Sequence, residues 1–295
     1  MSGPGFVVVG DLMTDVVARA SGPLRHGSDT AAEITTHGGG SGANTASWLR
    51  SEGRPTAYVG RVGKDTIGRM WVEHLAEAGV DTRVAVDPGR GTGTVVVVVD
   101  PDGERTMLPD AGANAGLSPT DLPDDLFVPG GHLHLSGYTL LNDGSRAAGL
   151  VSLDLARRRG MTISVDPASS GPILDLGPER FLGWIEGADL LLANELEVTA
   201  LTGLTDPEEA ARALASSFGQ VVVKLGPHGA LWLSGDRPAI MAPAVAVDVV
   251  DTTGAGDAFA GGFLPPWKDG AEAIECLASG NRVASQAVSR VGARP

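Results

Sequence analysis

The sequence has one cysteine, Cys276, so no internal disulfide forms and a reducing compartment is expected. Basic residues are few: 22 Lys and Arg against 36 Asp and Glu give a formal net charge of −14. Such a chain has no long-range attraction for nucleic acid or an anionic membrane. An anionic small molecule remains admissible, because backbone N–H groups can supply local positive potential. Long hydrophobic runs are missing too. The longest purely aliphatic stretch, Val95–Val99, is far too short to cross a bilayer. The opening "MSGPGFVVVGD" lacks the basic start and apolar run of a secretory leader. A cytoplasmic protein that touches neither nucleic acid nor membrane is the expectation. No internal repeat, low-complexity tract or long linker divides the chain.

What is present is 295 residues, 42% of them hydrophobic, enough to bury the core of one large domain spanning 1–295. Short apolar runs at Phe6–Val9, Ala57–Val59, Leu133–Leu135, Thr162–Val165, Leu190–Leu192 and Val221–Leu225 read as buried parallel strands. Between them lie helical patterns. Ile67, Trp71, Leu75 and Ala78 recur on one face, with Arg69, Glu73 and Glu77 on others. Asp206-Pro207-Glu208-Glu209 reads as an N-cap, a first-turn proline and an acidic first turn. This alternation predicts a three-layer α/β fold with a doubly wound, mostly parallel sheet. Two segments break the pattern, about 12–37 and 91–110. The second reads as a hairpin about a Pro-Asp-Gly turn. Together they predict a small accessory β-sheet.

In open α/β sheets ligands bind beyond the carboxyl ends of the strands. Asp11, Asp15, Asp166, Asn194, Glu197 and Lys224 all follow or close candidate strands, although any one of them could be a turn residue or helix cap. The stretch "DTTGAGDAFAGG" (251–262) adds a glycine-rich turn that opens an apolar helix, Ala258–Leu264. Amides of Gly254, Ala255 and Gly256 are placed to receive one oxyanion with the helix dipole behind them, and this requires no lysine. Asp257 beside them is a poor anion ligand but a serviceable base for an attacking hydroxyl in phosphoryl transfer. The plain alternative is a glycine-rich turn with Asp257 as a cap. The sequence also predicts a low pKa for Asp257, because it sits beside a helix N-terminus.

Two other glycine motifs point elsewhere. "GRVGKDT" (60–66) has Tyr58 where a Walker loop needs glycine, and Asp65 follows its lysine. "GGGSGA" (38–43) fits a dinucleotide fingerprint, but "AEITTH" before it is a poor buried strand.

The ordered set "GGGSGAN" (38–44), "GRVGKDTIG" (60–68), "AGANAGLSP" (111–119), "NELE" (194–197), "KLGPHG" (224–229) and "DTTGAGDAF" (251–259) resembles the ribokinase-like carbohydrate kinases of the PfkB family. The likeness runs from about residue 6 to the end. It implies a β-sheet lid over the main sheet and ATP-dependent phosphorylation of a sugar hydroxyl, with Mg²⁺ as cofactor. Position by position, it implies Asp257 as catalytic base and Gly254, Ala255 and Gly256 as the anion hole. Asp15, Gly39, Gly40 and Asn44 fall where the family holds the sugar, with Asp11 as a further contact. Asn194 and Glu197 match the family's N-x-x-E motif, linked through water to Mg²⁺ and phosphate. Lys224 and the run Gly226 to Gly229 lie where the nucleotide is held, and Asn281 falls near the adenine or serves as a cap. Asp251 and the backbone near Thr253 resemble a monovalent-cation site for K⁺, with a structural turn acid as the alternative.

The chain departs from the ribokinase pattern at Met13, which replaces an asparagine, and at Ser41, which replaces a lysine. These departures weaken the case for ribose and leave the phosphoryl-transfer residues in place. A neutral pentose or hexose leads the expectation. A sugar phosphate would need basic residues for its second phosphate, with Arg105 as a candidate or simply a solvated hairpin residue, and a 2-keto-3-deoxy sugar acid would likewise need a cation. A nucleoside would need an apolar base pocket in a chain with 4% aromatics. A non-catalytic sugar-binding protein on the same scaffold is the remaining alternative. The exposed lid face predicts homodimerisation. "LPPWKDG" (264–270) predicts an early helix stop at its two prolines.

Overall fold

A computed structural model describes residues 5–102 and 104–295. In chain order the strands are β1 (Phe6–Val9), β2 (Met13–Ala20), β3 (Ala32–Gly39), β4 (Thr56–Gly63), β5 (Asp81–Asp87), β6 (Gly93–Val99), β7 (Arg105–Asp110), β8 (His132–Ser136), β9 (Thr162–Asp166), β10 (Leu190–Asn194), β11 (Gln220–Lys224), β12 (Ala230–Ser234) and β13 (Ile240–Ala242). Nine form one sheet in the order β13-β12-β11-β10-β9-β8-β1-β4-β5. From β5 to β11 all neighbours pair in parallel, and β12 and β13 add an antiparallel margin.

The strand alternation feeds two cores. Val7 and Val9 pack on one face with Leu133, Leu135 and Val165, while Phe6 and Val8 pack on the other with Leu190, Leu192 and Phe263. Each strand is therefore apolar at successive positions, as a sheet covered by helices on both sides requires. Three strands of the main sheet go beyond the expected set. β5 lies at the sheet margin with mixed exposure and β13 has three residues, whereas β12 is apolar and buried at its first four positions.

The segments 12–37 and 91–110 do form a second sheet, ordered β3-β2-β6-β7. Its outer pairs are antiparallel and its central β2–β6 pair is parallel. The predicted Pro-Asp-Gly turn ends at Gly103, which lies outside the described residues, as do residues 1–4 of the N-terminal stretch.

Strand order reverses at β1, which has β4 on one side and β8 on the other. That crevice is where open sheets bind ligands. A helix over Ser41–Ser51 starts there, and a late helix over Ala255–Lys268 packs against it. The late helix corrects the expected proline stop. Pro265 and Pro266 fall in its last turn, and the helix continues through Trp267, whose Nε1 donates to Gln220 Oε1 at 2.6 Å. Only the final turn loses bonds, and packing on the Ala273–Val288 helix retains it. The capping expectation holds at Asp206, whose carboxylate accepts from the Glu209 N–H at 2.9 Å. The "GKD" triplet is also a cap, because Asp65 accepts from the Gly68 N–H at 2.7 Å. Among the described residues no helix is long and apolar enough to cross a membrane.

Candidate active site

The two helices at the crevice share one carboxylate. Asp257 lies in the first turn of the late helix, and its Oδ1 accepts from the Ser41 hydroxyl at 2.8 Å. Its Oδ2 accepts from Asn44 Nδ2 at 2.9 Å. Close packing fixes this arrangement. A Cβ on Gly261 would collide with Trp48 of the earlier helix, and Trp48 Nε1 donates to the Ala293 carbonyl at 2.9 Å. The backbones approach at glycine because no side chain fits between them.

The turn before the late helix leaves amides free. Gly254 has φ +75°, and a Cβ there would press on Ala293. The Ala258 N–H makes the bond to the Gly254 carbonyl at 2.9 Å. Ala255 donates at 3.3 Å to Thr252, so its amide is partly engaged. The N–H groups of Gly254, Gly256 and Asp257 have no partner among the described residues. They are the orphan donors that make a helix start an anion site. A lysine also reaches it, contrary to the simplest reading of the motif: a Cβ on Gly256 would lie 3.1 Å from Lys224 Nζ.

Burial pushes the Asp257 carboxyl up to about 7, aided by repulsion from Asp166 and opposed by Asn44, Ser41 and Lys224. This corrects the expected low value: removal from water outweighs the helix terminus. Lys224 donates to Asp166 Oδ2 at 2.7 Å. Burial works against its charge, yet Asp166 and Glu197 hold its pKa above the usual value.

The N-x-x-E motif is a capping box for the Glu195–Thr202 helix. Asn194 Oδ1 accepts from the Glu197 N–H, and both Glu197 oxygens accept from Asn194, at 2.8 and 2.9 Å. Burial and the neighbouring Asp166 raise the Glu197 pKa.

Asp15 on β2 lies against Gly39, where a Cβ would strike its carboxylate. No hydrogen-bond partner holds that carboxylate among the described residues. Burial pushes it to about 6 against the pull of Arg294. Gly40, at φ +92°, lies against the Asp11–Met13 backbone.

Asp11 is held by backbone and hydroxyl donors. Its oxygens accept from the Ser41 N–H at 3.1 Å, the Gly42 N–H at 3.3 Å and the Ser136 hydroxyl at 3.1 Å. It ties β1 and β8 to the start of the Ser41 helix. Met13 packs on Asn114, whose Nδ2 lies 3.2 Å from its sulfur.

On the nucleotide side, Gly229 (φ +97°) closes against the Ala242 carbonyl, while Gly226 (φ +55°) has open space beside it. Asn281 is buried on the Ala273–Val288 helix. Its Nδ2 donates to the Ala242 and Pro243 carbonyls at 3.1 and 3.0 Å, bracing the chain after β13. Asp251 and Thr253 meet a guanidinium, that of Arg105, so this arginine is not a free hairpin cation.

Two participants, Ser41 and Arg294, carry no site reading in the sequence. Asp166 is marked there as a strand-end acid with no assigned role. Ser41 stands there only as a departure from the family pattern. Arg294 had no signal at all: its Nε donates to Asn44 Oδ1 at 3.1 Å and its Nη2 to the Gly39 carbonyl at 2.7 Å.

Comparison with known proteins agrees with this geometry. The family model described as "pfkB family carbohydrate kinase" matches residues 5–295. An uncharacterized sugar kinase of Archaeoglobus fulgidus is 33% identical over 82% of this chain and 94% of its own. A ribokinase of Arabidopsis thaliana is 31% identical over 99% of this chain and 78% of its own. A 2-dehydro-3-deoxygluconokinase of Thermoproteus tenax is 33% identical over 92% and 84%. Among solved structures, a probable sugar kinase of Rhizobium etli superposes with TM-score 0.90 at 26% identity, covering 100% of this chain and 96% of that one. A putative ribokinase II of E. coli in complex with ATP and Mg²⁺ superposes with TM-score 0.86 at 25% identity, over 99% and 94%.

Proposed function

Since the chain belongs to the pfkB family of carbohydrate kinases, we propose that it transfers the γ-phosphoryl group of MgATP to a hydroxyl, most simply a primary one, of a neutral pentose or hexose. The observation that carries this reading is the Asp257 carboxylate, held by Ser41 and Asn44 beside the unpaired amides of Gly254, Gly256 and Asp257. Acceptor and donor chemistry then meet at one helix start. Asp257 accepts the proton as the acceptor oxygen bonds to the γ-phosphorus and the bond to ADP breaks. The amides and Lys224 face the negative charge of the transferring group, an effect of about 3 kcal/mol per well-placed donor. Asp15, Asn44 and the Gly39–Gly40 backbone are the groups available to the sugar. Asp166 and Glu197 are the carboxylates that would hold the magnesium of MgATP through water. Closure of the lid sheet excludes water from the phosphoryl group.

Assay of ADP release over a panel of pentoses, hexoses and sugar acids tests the reading. Turnover with at least one neutral sugar, lost in Asp257→Asn, is the expected result. Binding without turnover across the panel would instead favour a sugar-binding protein.

Arg294 favours a second reading. Its Nη1 is buried with no partner among the described residues, while its other nitrogens hold Asn44 and Gly39. A sugar acid would bring a carboxylate for that donor, and the same panel separates the two readings. We further propose that the lid, which exposes Ile34 and Leu108, pairs with a second copy; a monomeric mass by light scattering at micromolar concentration would refute this.

A further inference from the structure

Asp251 is 6% exposed, so its charge needs a partner. Its Oδ1 accepts from the Thr253 N–H at 3.0 Å and the Thr253 hydroxyl at 2.7 Å, and its Oδ2 accepts from the Gly292 N–H at 3.2 Å. The remaining contact comes from the lid. Arg105 Nη2 donates to Asp251 Oδ1 at 2.9 Å, and Nη1 donates to Thr253 Oγ1 at 3.0 Å. Arg105 is the first residue of β7, the lid's outer strand, and the other five residues of that strand are exposed.

The family resemblance assigns Asp251 and the backbone near Thr253 to a monovalent cation, and Asp251 Oδ1 is the oxygen the guanidinium takes. These groups do not fit such an ion. An alkali ion needs oxygen lone pairs turned toward it, and here Asp251 Oδ1 already receives three donors. A fixed positive charge also lies against that oxygen and against the neighbouring Thr253 hydroxyl. Guanidinium is permanently charged, planar and weakly hydrated, which suits it to a nearly dry carboxylate better than an exchangeable ion.

We propose that Arg105 serves as the resident cation of this turn, a lid-borne positioning residue that makes the anion-binding amides independent of K⁺ and ties their alignment to lid position. The inference rests on the reading of the Gly254–Asp257 turn as the phosphoryl site. The turn from Asp251 leads directly into those amides. With the lid swung away, Asp251 would lose its charged partner and the turn would loosen. With the lid down, the guanidinium fixes it.

Calorimetric titration with MgADP, in choline chloride and in potassium chloride at equal ionic strength, tests this without knowledge of the sugar. The wild type is expected to bind within about twofold in the two salts. Arg105→Ala is expected to bind about tenfold more weakly in choline and to recover part of the loss in potassium, which then has room to enter. Arg105→Lys, which keeps the charge, is expected to fall between them. Hydrogen exchange of amides 251–257 should quicken in Arg105→Ala and slow again with potassium. Wild-type binding that tightens fivefold or more with potassium, or an Arg105→Ala protein equal to wild type in choline, would overturn the proposal. If none of the proteins binds MgADP in either salt, the kinase reading fails first and this inference falls with it.

Discussion

At Asp257 two effects compete, and their balance sets how the residue works. The helix terminus favours the carboxylate, while loss of water favours the acid; the result is a group poised near 7. A base with that pKa is about half ionised at neutral pH and keeps enough proton affinity to take the hydroxyl proton. kcat/KM should therefore rise with pH through an ionisation near 7, measured in the free enzyme's pH profile, and a profile flat from pH 5.5 to 8.5 would remove Asp257 from the role. Asp257→Asn should lower kcat by about 10²–10⁴-fold while sugar binding survives. The same variant should be more stable at pH 8. The folded protein holds this carboxyl's pKa above its unfolded value, so ionisation is penalised in the fold as pH climbs from about 4 to about 7. The variant's amide can turn its oxygen to Asn44 and its NH₂ to the Ser41 hydroxyl, leaving no charge. Thermal melts should show the gain at pH 8 and its disappearance near pH 4.

Among the elements, the contact between the Ser41–Ser51 and Ala255–Lys268 helices bears most on the site. Gly261→Ala would push a methyl into Trp48 and should destabilise the protein by about 1–3 kcal/mol, read from urea unfolding. Gly183 provides the contrast. It is exposed within the Pro178–Ile185 helix, and a Cβ there meets nothing within 4 Å. Gly183→Ala should stabilise by about 0.5–1 kcal/mol. The sequence reveals these two glycines equally and their difference not at all, because the difference lies in a partner more than two hundred residues away. The parallel strands and the lid segments were legible because periodicity and turn residues are local. So was the glycine turn at 254–256. Arg294 was not, since its importance arises only where the chain end folds back on Gly39 and Asn44. Asp11 is the complementary case: a strand-end acid can face a ligand or a helix start, and only the third dimension shows its bonds to the Ser41 and Gly42 amides. The prolines at 265–266 misled because propensity counts a broken bond but not the neighbour that holds the turn.

For the molecule as a whole, buried groups give stability opposing pH dependences. His132 and His134 form a chain through Ser164, with Nε2 and Nδ1 each 2.8 Å from its hydroxyl. Burial lowers both, His134 to about 4. Their contribution is lost as pH falls below about 6.5, where the unfolded chain gains protons that the fold refuses. Asp15, Glu197 and Asp257 have the opposite sign, because the fold keeps their protons longer. Between pH 5 and 6.5 the two imidazoles offset part of the effect of the carboxyls, so the urea midpoint should change only gently. Asp257→Asn removes one proton-retaining carboxyl, so its midpoint should fall more steeply on going from pH 7 to pH 5, by up to about 1.4 kcal/mol per pH unit. An unchanged slope would place the Asp257 pKa outside that range.

The glycine seam between the Ser41–Ser51 and Ala255–Lys268 helices also bears on how such a catalyst changes over time. With two backbones in near contact, the base cannot drift toward a differently shaped acceptor without breaking the seam. Diversification is left to the lid strands, whose outer member β7 is mostly exposed. Transplanting residues 12–37 and 91–110 from a relative, with Arg105 kept, should therefore carry over that relative's taste for sugars and leave the handling of the nucleotide unchanged.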